Sequence, residues 1–245
     1  MAEFREFSRE ALLSQLASTR RLENDTLEGI EVREAKFPGL EVVASKLKNA
    51  SLAFGDLTGA RIGEHSSFLG ASLRRAVLDG SAIEDSNLLG SDLIECSLRD
   101  AFLAKLRVEG CSFANAKAER ASLISCRFLN TEFFGIDLRR ATLMHCTFAD
   151  TNLGNASLLR ANLEGATVMD CDLKDVNLNK ASLVGAVLVN VDLTGANLAE
   201  ADLTGARLLN VRLNFATLDR ANLSNLIHSG TSFDKVSAQG TVWPN

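Results

Sequence analysis

The sequence predicts an all-β solenoid, a fold built from stacked coils instead of one globular core. The first observation behind this prediction is a five-residue period. From Leu73 to Trp243 a large apolar residue occupies every fifth position, except at Ala118, His228 and Ala238. A period of five fits neither an α-helix nor an alternating strand, so it is a repeat signature. The second observation is that the register runs unbroken over this stretch, which favours one continuous array.

The first 21 residues lack this period and predict a capping helix. Ser8 is a candidate N-cap for a helix that runs from Arg9 to Ser18. Leu12 and Leu16 lie on one face at helical spacing. We expect the helix to cover the first coil and protect its open edge, with binding to a membrane surface as the alternative.

The solenoid is expected to occupy residues 22–245, with one register slip at residues 63–67. Apolar residues up to Ile62 keep the spacing of five among themselves, but Ile62 and Phe68 lie six residues apart. One extra residue therefore lies between Gly63 and Ser66. We interpret it as a bulge or a short protruding corner.

The repeat unit reads small–polar–Leu–x–x, as in Ala161-Asn162-Leu163-Glu164-Gly165. This pattern resembles the pentapeptide-repeat family, whose consensus is A(D/N)Lxx, over about nine-tenths of the chain. The resemblance implies a right-handed quadrilateral parallel β-helix with four pentapeptides in each coil, and hence about eleven coils. The small and central residues are expected to point inward, and the Asn, Asp and Gly residues suit the corners.

If each coil takes twenty residues, positions twenty apart form columns on the surface. One of them, the apolar column, follows the central positions by one residue and contains Leu89, Glu109, Leu129, Ala149, Met169, Val189 and Leu209. A contiguous apolar stripe on a surface marks a partner site. We therefore predict partner-binding roles for Leu89, Leu129, Met169, Val189 and Leu209. The alternative is that neighbouring side chains cover them.

A second column, the cationic column, contains Asp100, Arg120, Arg140, Arg160, Lys180, Glu200 and Arg220. Four consecutive cations repel one another across neighbouring strands. Arg120, Arg140, Arg160 and Lys180 are therefore predicted to bind an acidic partner, unless they are only solvated surface residues. An acidic column on the preceding side, formed by Asp92, Glu132, Asp172 and Asp192, is expected to offset part of the repulsion.

The C-terminal coil has no candidate lid after Phe233. Trp243 occupies a central position, and an uncapped β-helix exposes unpaired N–H and C=O groups. We expect Trp243 to plug the open core while this edge pairs with a second copy of the chain or with a partner strand.

Composition and motifs argue against several functions. A net charge of −5 without a basic tail is atypical of a nonspecific nucleic-acid binder. Neither a secretory leader nor an apolar run of roughly 20 residues is found, which predicts a soluble, cytoplasmic protein. Each of the five cysteines precedes a central position by two residues, where a reduced thiol serves as a small inward residue.

Groups for catalysis are sparse. The chain has three histidines, and we find neither a Gly-rich phosphate loop nor a metal-spaced Cys/His pair. A convex rod offers no concave site for converging groups, so we expect no enzyme activity, no cofactor and no metal.

We therefore expect a protein–protein interaction scaffold that docks partners along its flat faces. The family resemblance implies one alternative, a DNA mimic that binds DNA gyrase or topoisomerase and confers quinolone resistance. Such relatives are strongly acidic and pair through an apolar C-terminal helix. This chain departs from them in its near-balanced charge, in its cationic column and in its short C-terminus containing Pro244.

Overall fold

The computed structural model describes residues 5–6 and 8–244. The chain is a parallel β-solenoid of about ten turns with one helix at its N-terminal end. The predicted β-helix is therefore confirmed. Along most of the solenoid, residues twenty apart lie side by side in neighbouring coils, as Phe128 does with Val108 and Phe148.

Each coil has four sides, which we number by their central, inward-pointing residues. Side 1 contains Leu103 and Leu123, side 2 contains Val108 and Phe128, side 3 contains Phe113 and Phe133, and side 4 contains Ala118 and Leu138.

The N-terminal helix is confirmed. Helix α1 spans Arg9–Thr19, and the Ser8 hydroxyl accepts a 3.2 Å hydrogen bond from the backbone N–H of Ala11. Leu12 and Leu16 are fully buried in the same apolar core as the coils. Residues 1–4 and 7 of the predicted cap lie outside the described residues.

Three-residue strands line sides 1 and 2, and all pairings are parallel. Strand β1 (Arg5–Glu6) pairs with β3 (Asp25–Thr26). Side 1 holds a six-stranded sheet of β2 (Arg21–Glu23), β4 (Glu41–Val43), β5 (Arg61–Gly63), β6 (Ala82–Glu84), β8 (Phe102–Ala104) and β10 (Ser122–Ile124). Side 2 holds an eight-stranded sheet of β7 (Asn87–Leu89), β9 (Arg107–Glu109), β11 (Arg127–Leu129), β12 (Thr147–Ala149), β13 (Thr167–Met169), β14 (Val187–Val189), β15 (Arg207–Leu209) and β16 (Ile227–Ser229).

A coil such as residues 101–120 has two kinds of side: sides 1 and 2 form strands, and sides 3 and 4 form turns. On sides 3 and 4 a turn follows the central residue, as where the N–H of Ala116 donates to the carbonyl of Phe113 at 3.0 Å. On the strand-forming sides the chain stays extended for one more residue. A hydroxyl or thiol on the next inward residue then donates to the last strand carbonyl, as from Thr131 to Leu129 at 3.0 Å. The small inward position is commonly Ala after turns and commonly Ser, Thr or Cys after strands.

The predicted register slip is present. Ile62 pairs with Ile83, twenty-one residues later, whereas Val42 pairs with Ile62 at the usual twenty. The extra residue is accommodated by Glu64 and His65, which both have positive φ angles of 52° and 63°.

The core is richest in aromatic residues near its middle. Phe113 stacks on Phe133, and Phe128 stacks on Phe148, each with ring centroids 5.0 Å apart. These rings surround Ala118, which stands where the period calls for a larger residue. A cavity of about 10 Å³ remains beside Ala118, so the aromatic rings fill most of the volume that a larger side chain would occupy there.

Candidate docking surfaces

The structure brings the apolar column together on side 2. Its residues end successive strands and lie directly beside one another, as Met169 does between Ala149 and Val189. All of them point away from the core. Leu129 is 41% exposed, whereas the other predicted residues are half-buried because the side chains above and below cover part of them.

The apolar column is longer than the sequence analysis recognised. Leu69 lies twenty residues before Leu89 and is itself 41% exposed. Val187 and the exposed Ile227 add apolar surface on the adjacent outward column of side 2. The same twenty-residue spacing would have identified these residues if it had been applied before Leu89 and to the position that precedes each central residue.

The cationic column lies along the corner between sides 4 and 1, and its cations are exposed. Arg120, Arg140, Arg160 and Lys180 all adopt left-handed backbone angles, with φ between 58° and 60°. The positive charges of two of these four residues are neutralised by carboxylates of the same chain. Arg120 makes two 2.7 Å hydrogen bonds to Asp100, and Lys180 lies 3.4 Å from Glu200.

Arg140 and Arg160 are the remaining cations of this corner. Among the described residues, no carboxylate oxygen lies within 4.0 Å of either guanidinium. The hydrogen bonds from Arg120 lower the pKa of Asp100, so that pair stays ionised at neutral pH. The part of the column available to an acidic partner is therefore its middle, at Arg140 and Arg160.

The expected role of the acidic column is wrong. Asp92, Glu132, Asp172 and Asp192 lie at the far end of side 3 from the cationic column. Three of them pair with other cations: Asp92 with Arg74 at 2.8 Å, Asp172 with Lys174 at 3.0 Å, and Asp192 with Arg212 at 2.8 Å. The repulsion along the corner is offset by Asp100, Glu119 and Glu200 instead.

The last coil has its core exposed. Trp243 is 46% exposed, and its ring lies 5.7 Å from that of Phe233, which in turn lies 5.5 Å from His228. These inward residues rest on the coil below them, and no described residue covers their other face. Trp243 thus lies at the open core, as expected, while the pairing of this edge with another chain stays a prediction.

The thiols and histidines do not converge on a reactive site. All five cysteines are free and buried. Burial raises the pKa of Cys171 to about 11 and raises that of Cys96 further. His145 is exposed, whereas Cys146 points into the core, where contact with the Cys126 thiol and burial raise its pKa.

The described residues contain neither a metal site nor a membrane-spanning helix. No group of three or more His, Cys, Asp or Glu side chains is arranged to hold a metal ion. Helix α1 is too short to cross a bilayer, and none of the other described residues forms a helix that could do so.

Comparison with known proteins identifies the repeat. The family described as pentapeptide repeats matches eight copies, at residues 71–105, 136–175, 171–210 and 188–225, which together make up just over half of the chain. A search of curated proteins gave no match.

Several solved structures are similar in fold. One is HetL, a pentapeptide repeat protein involved in heterocyst differentiation regulation from the cyanobacterium Nostoc sp. strain PCC 7120, with 25% identity over 96% of this chain and 97% of that one (TM-score 0.36). Another is QnrB1, a plasmid-mediated fluoroquinolone resistance protein, with 18% identity over 73% and 91% of the two chains (TM-score 0.44). A third is a pentapeptide repeat protein from the Arabidopsis thaliana thylakoid lumen, with 26% identity over 42% and 69% (TM-score 0.32). None of these TM-scores reaches 0.5, so no function is carried over from these proteins.

Proposed function

The chain belongs to the pentapeptide-repeat family, and from this premise we propose that it is a non-enzymatic scaffold that docks a partner protein along side 2. The observation that carries the proposal is the apolar column, which runs from Leu69 to Leu209 through neighbouring coils. Leu69 and Leu129 remain two-fifths exposed within it. A largely apolar stripe, interrupted at Glu109, lowers the free energy of the rod when a partner covers it.

The cationic column supplies a second contact strip in this proposal. Arg140 and Arg160 have no carboxylate neighbour among the described residues, so an acidic partner would relieve the repulsion between them. The strip lies at the corner between sides 4 and 1, away from side 2. One scaffold could therefore hold two partners, or two parts of one partner.

The state of the cysteines supports a cytoplasmic location. Cys126 and Cys146 are in contact in neighbouring coils, and both are free thiols. Reducing compartments keep thiols in this state, whereas oxidising compartments favour disulfides. Because all five thiols are buried, they offer no accessible nucleophile, which supports a non-enzymatic role.

An affinity capture from native lysate tests the docking surface. The bait is the full chain, compared with a double variant Leu129→Asp plus Met169→Asp. The matched control is Ile94→Asp plus Phe134→Asp, because these two residues also lie forty residues apart in one outward column, but on side 3. Phe134 is 43% exposed, close to Leu129. We expect a protein that the wild type and the control retain and that the side 2 variant loses.

A fold check makes this result decisive. Leu129 and Met169 point outward, so their double variant should keep the circular dichroism spectrum of the wild type. Leu143→Asp should unfold the protein, because it places an unpaired carboxylate in the core. Equal capture by the folded side 2 variant and the wild type would contradict the proposal.

A further inference from the structure

A depression of about 520 Å³ lies on side 2 beside the apolar column. The outward side chains of Arg107 and Arg127 line it, together with Lys105, Glu109 and Leu129. Strands β9 and β11 form its floor, so the backbone beneath it is part of the continuous sheet. The depression thus combines a base of paired strands with long cationic side chains at its rim.

The charges of this depression are not balanced within the chain. Arg107 and Arg127 are direct neighbours in the sheet, about 4.8 Å apart. Glu109 pairs with Arg107 at 2.8 Å, and Asp85 lies 4.0 Å from Lys105. No carboxylate of the described residues lies within 4.0 Å of the Arg127 guanidinium. Like charges directly opposite one another destabilise a sheet, so an external anion at Arg127 is favoured.

An apolar surface adjoins this cation. Leu129 lies two residues after Arg127 on the same strand, so both side chains point to the same face, about 7 Å apart along the strand. Leu89 continues the apolar surface on the far side of Glu109. A ligand seated here meets a positive charge and an apolar side chain side by side.

We infer that this depression binds an acidic peptide segment of a partner protein, one in which a carboxylate lies two residues from an apolar side chain. The carboxylate pairs with Arg127, and the apolar side chain packs on Leu129. In an extended segment, residues two apart face the same way, which matches the spacing of Arg127 and Leu129. The inference rests on the proposed docking function of side 2 and adds the chemistry of the partner.

The equivalent arginine on another strand of side 2 shows why an acidic segment should prefer Arg127. Arg207 occupies the equivalent place on β15, and Leu209 follows it as Leu129 follows Arg127. However, its neighbours in the ladder are Val187 and Ile227, so no second cation adjoins it. Arg207 is therefore a matched control of the same residue type, side and column.

A fluorescence anisotropy titration tests the inference. The probe is a fluorescein-labelled peptide with the sequence Asp-Ser-Leu-Ser-Asp-Ser-Leu, and its controls replace every Asp by Asn or every Leu by Ser. We expect the full chain to bind the probe at about 50 mM salt, where surface electrostatics are weakly screened. Arg127→Glu should weaken binding at least about tenfold, whereas Arg207→Glu should change it less than about twofold. Both control peptides should bind more weakly than the probe.

Three results would overturn this inference. They are an absence of probe binding by the wild type, an equal loss in the two arginine variants, and undiminished binding of the Asn peptide. Capture of the native partner by two variants tests the inference separately from the proposed docking function. A partner lost from the Leu129→Asp plus Met169→Asp variant but retained by Arg127→Glu would leave side 2 as the docking surface and refute an acidic segment at Arg127. A partner lost from both would support the inference.

Discussion

The carboxylate of Asp192 accepts a 2.8 Å hydrogen bond from Nη2 of Arg212, its neighbour in the next coil. Its side chain is only 9% exposed, and Lys174 lies 3.4 Å away on the other side. Burial alone would raise the pKa of Asp192, but hydrogen bonds from Thr194 and Arg212 outweigh it and lower the pKa below its ordinary value. This ion pair therefore joins neighbouring coils on side 3.

We expect Asp192→Asn to destabilise the protein by about 1–3 kcal/mol at pH 7, because charge-assisted hydrogen bonds are lost. A carboxyl group with a lowered pKa in the folded state stabilises it above its ordinary pKa. That contribution is lost as the pH falls through the folded pKa. The difference in the free energy of unfolding between the wild type and Asp192→Asn should therefore shrink below about pH 4. Urea unfolding at pH 7 and pH 3 measures this difference. Asp172→Asn is the control, because the Asp172 side chain is more exposed. Equal losses in the two variants at pH 7 would contradict this view of Asp192.

The corners impose a second constraint, visible at Gly135. Its φ angle is +67°, and a Cβ there would lie 2.6 Å from Oδ1 of Asn115 in the preceding coil. Gly185 has a similar φ angle of +63° but no atom within 4 Å of the equivalent position. We expect Gly185→Ala to cost about 1 kcal/mol for the left-handed backbone alone.

Gly135→Ala should cost about 1 kcal/mol more than Gly185→Ala, because the Asn115 side chain must move. Thermal unfolding of both variants measures the difference. Adding Asn115→Ala to Gly135→Ala should remove the excess. If the two glycine variants lose the same stability, the contact with Asn115 imposes no constraint.

The sequence predicted the periodic features because each follows from one spacing rule. The rule placed Leu129 and Met169 in one outward ladder and located the slip after Ile62. It could not assign ion pairs, since these depend on how long side chains reach neighbouring coils. The partner of Arg120, for example, is Asp100 in its own column, whereas Asp92 binds Arg74, which lies eighteen residues earlier.

The cysteines carry a hydrogen-bonding signal that their small size alone does not indicate. They were treated as small fillers equivalent to Ala. The structure shows that the Cys171 thiol donates to the carbonyl of Met169 at 3.0 Å, the same bond that Thr151 makes to Ala149. A Ser, Thr or Cys at the inward position is thus common after an extended side, although Cys96 and Cys146 follow turns. The outward pair Arg107 and Arg127 was missed because, on side 2, only the position after the central residue was arranged in a column.

Cys171→Thr tests this equivalence and the raised thiol pKa together. We expect little change in stability at pH 7, because Thr can make the same hydrogen bond. Burial raises the folded pKa of Cys171 to about 11, so its stabilising contribution is present below about pH 9 and is lost as the pH rises toward 11. The variant should lose about 1 kcal/mol less than the wild type between pH 7 and pH 10. Guanidinium unfolding at both pH values measures this, and parallel losses would show that folding does not raise the pKa of the Cys171 thiol.

The alternative role as a DNA mimic can be tested directly. A mimic of DNA presents negative charge along its length, whereas this rod exposes Arg140 and Arg160 without carboxylate neighbours among the described residues. We expect no inhibition in a DNA gyrase supercoiling assay at micromolar protein. The charge-reversed variant Arg140→Glu plus Arg160→Glu is the informative comparison. Potent inhibition by the wild type would favour the gyrase-binding role over a general scaffold.

The exposed final coil leads to the last prediction. In the solenoid, each central N–H donates to the carbonyl nineteen residues ahead, as from Leu223 to Val242 at 2.7 Å. His228 and Phe233 have no such acceptor among the described residues. Within the described part of the chain, these N–H groups lie at one end of the solenoid beside exposed apolar side chains, including Ile227 and Trp243. Both features favour pairing with another edge of the same kind.

We expect two copies to associate tail to tail through this edge, with Trp243 and Ile227 at the contact. Sedimentation velocity over a range of concentrations should show a dimer for the wild type. Trp243→Asp plus Ile227→Asp should shift it to monomer, because two carboxylates would be buried at the contact. Phe215→Asp is the control, since Phe215 is 57% exposed on a corner of the preceding coil. If all three proteins sediment as the same monomer, solvent satisfies the edge and the tail-to-tail dimer does not form.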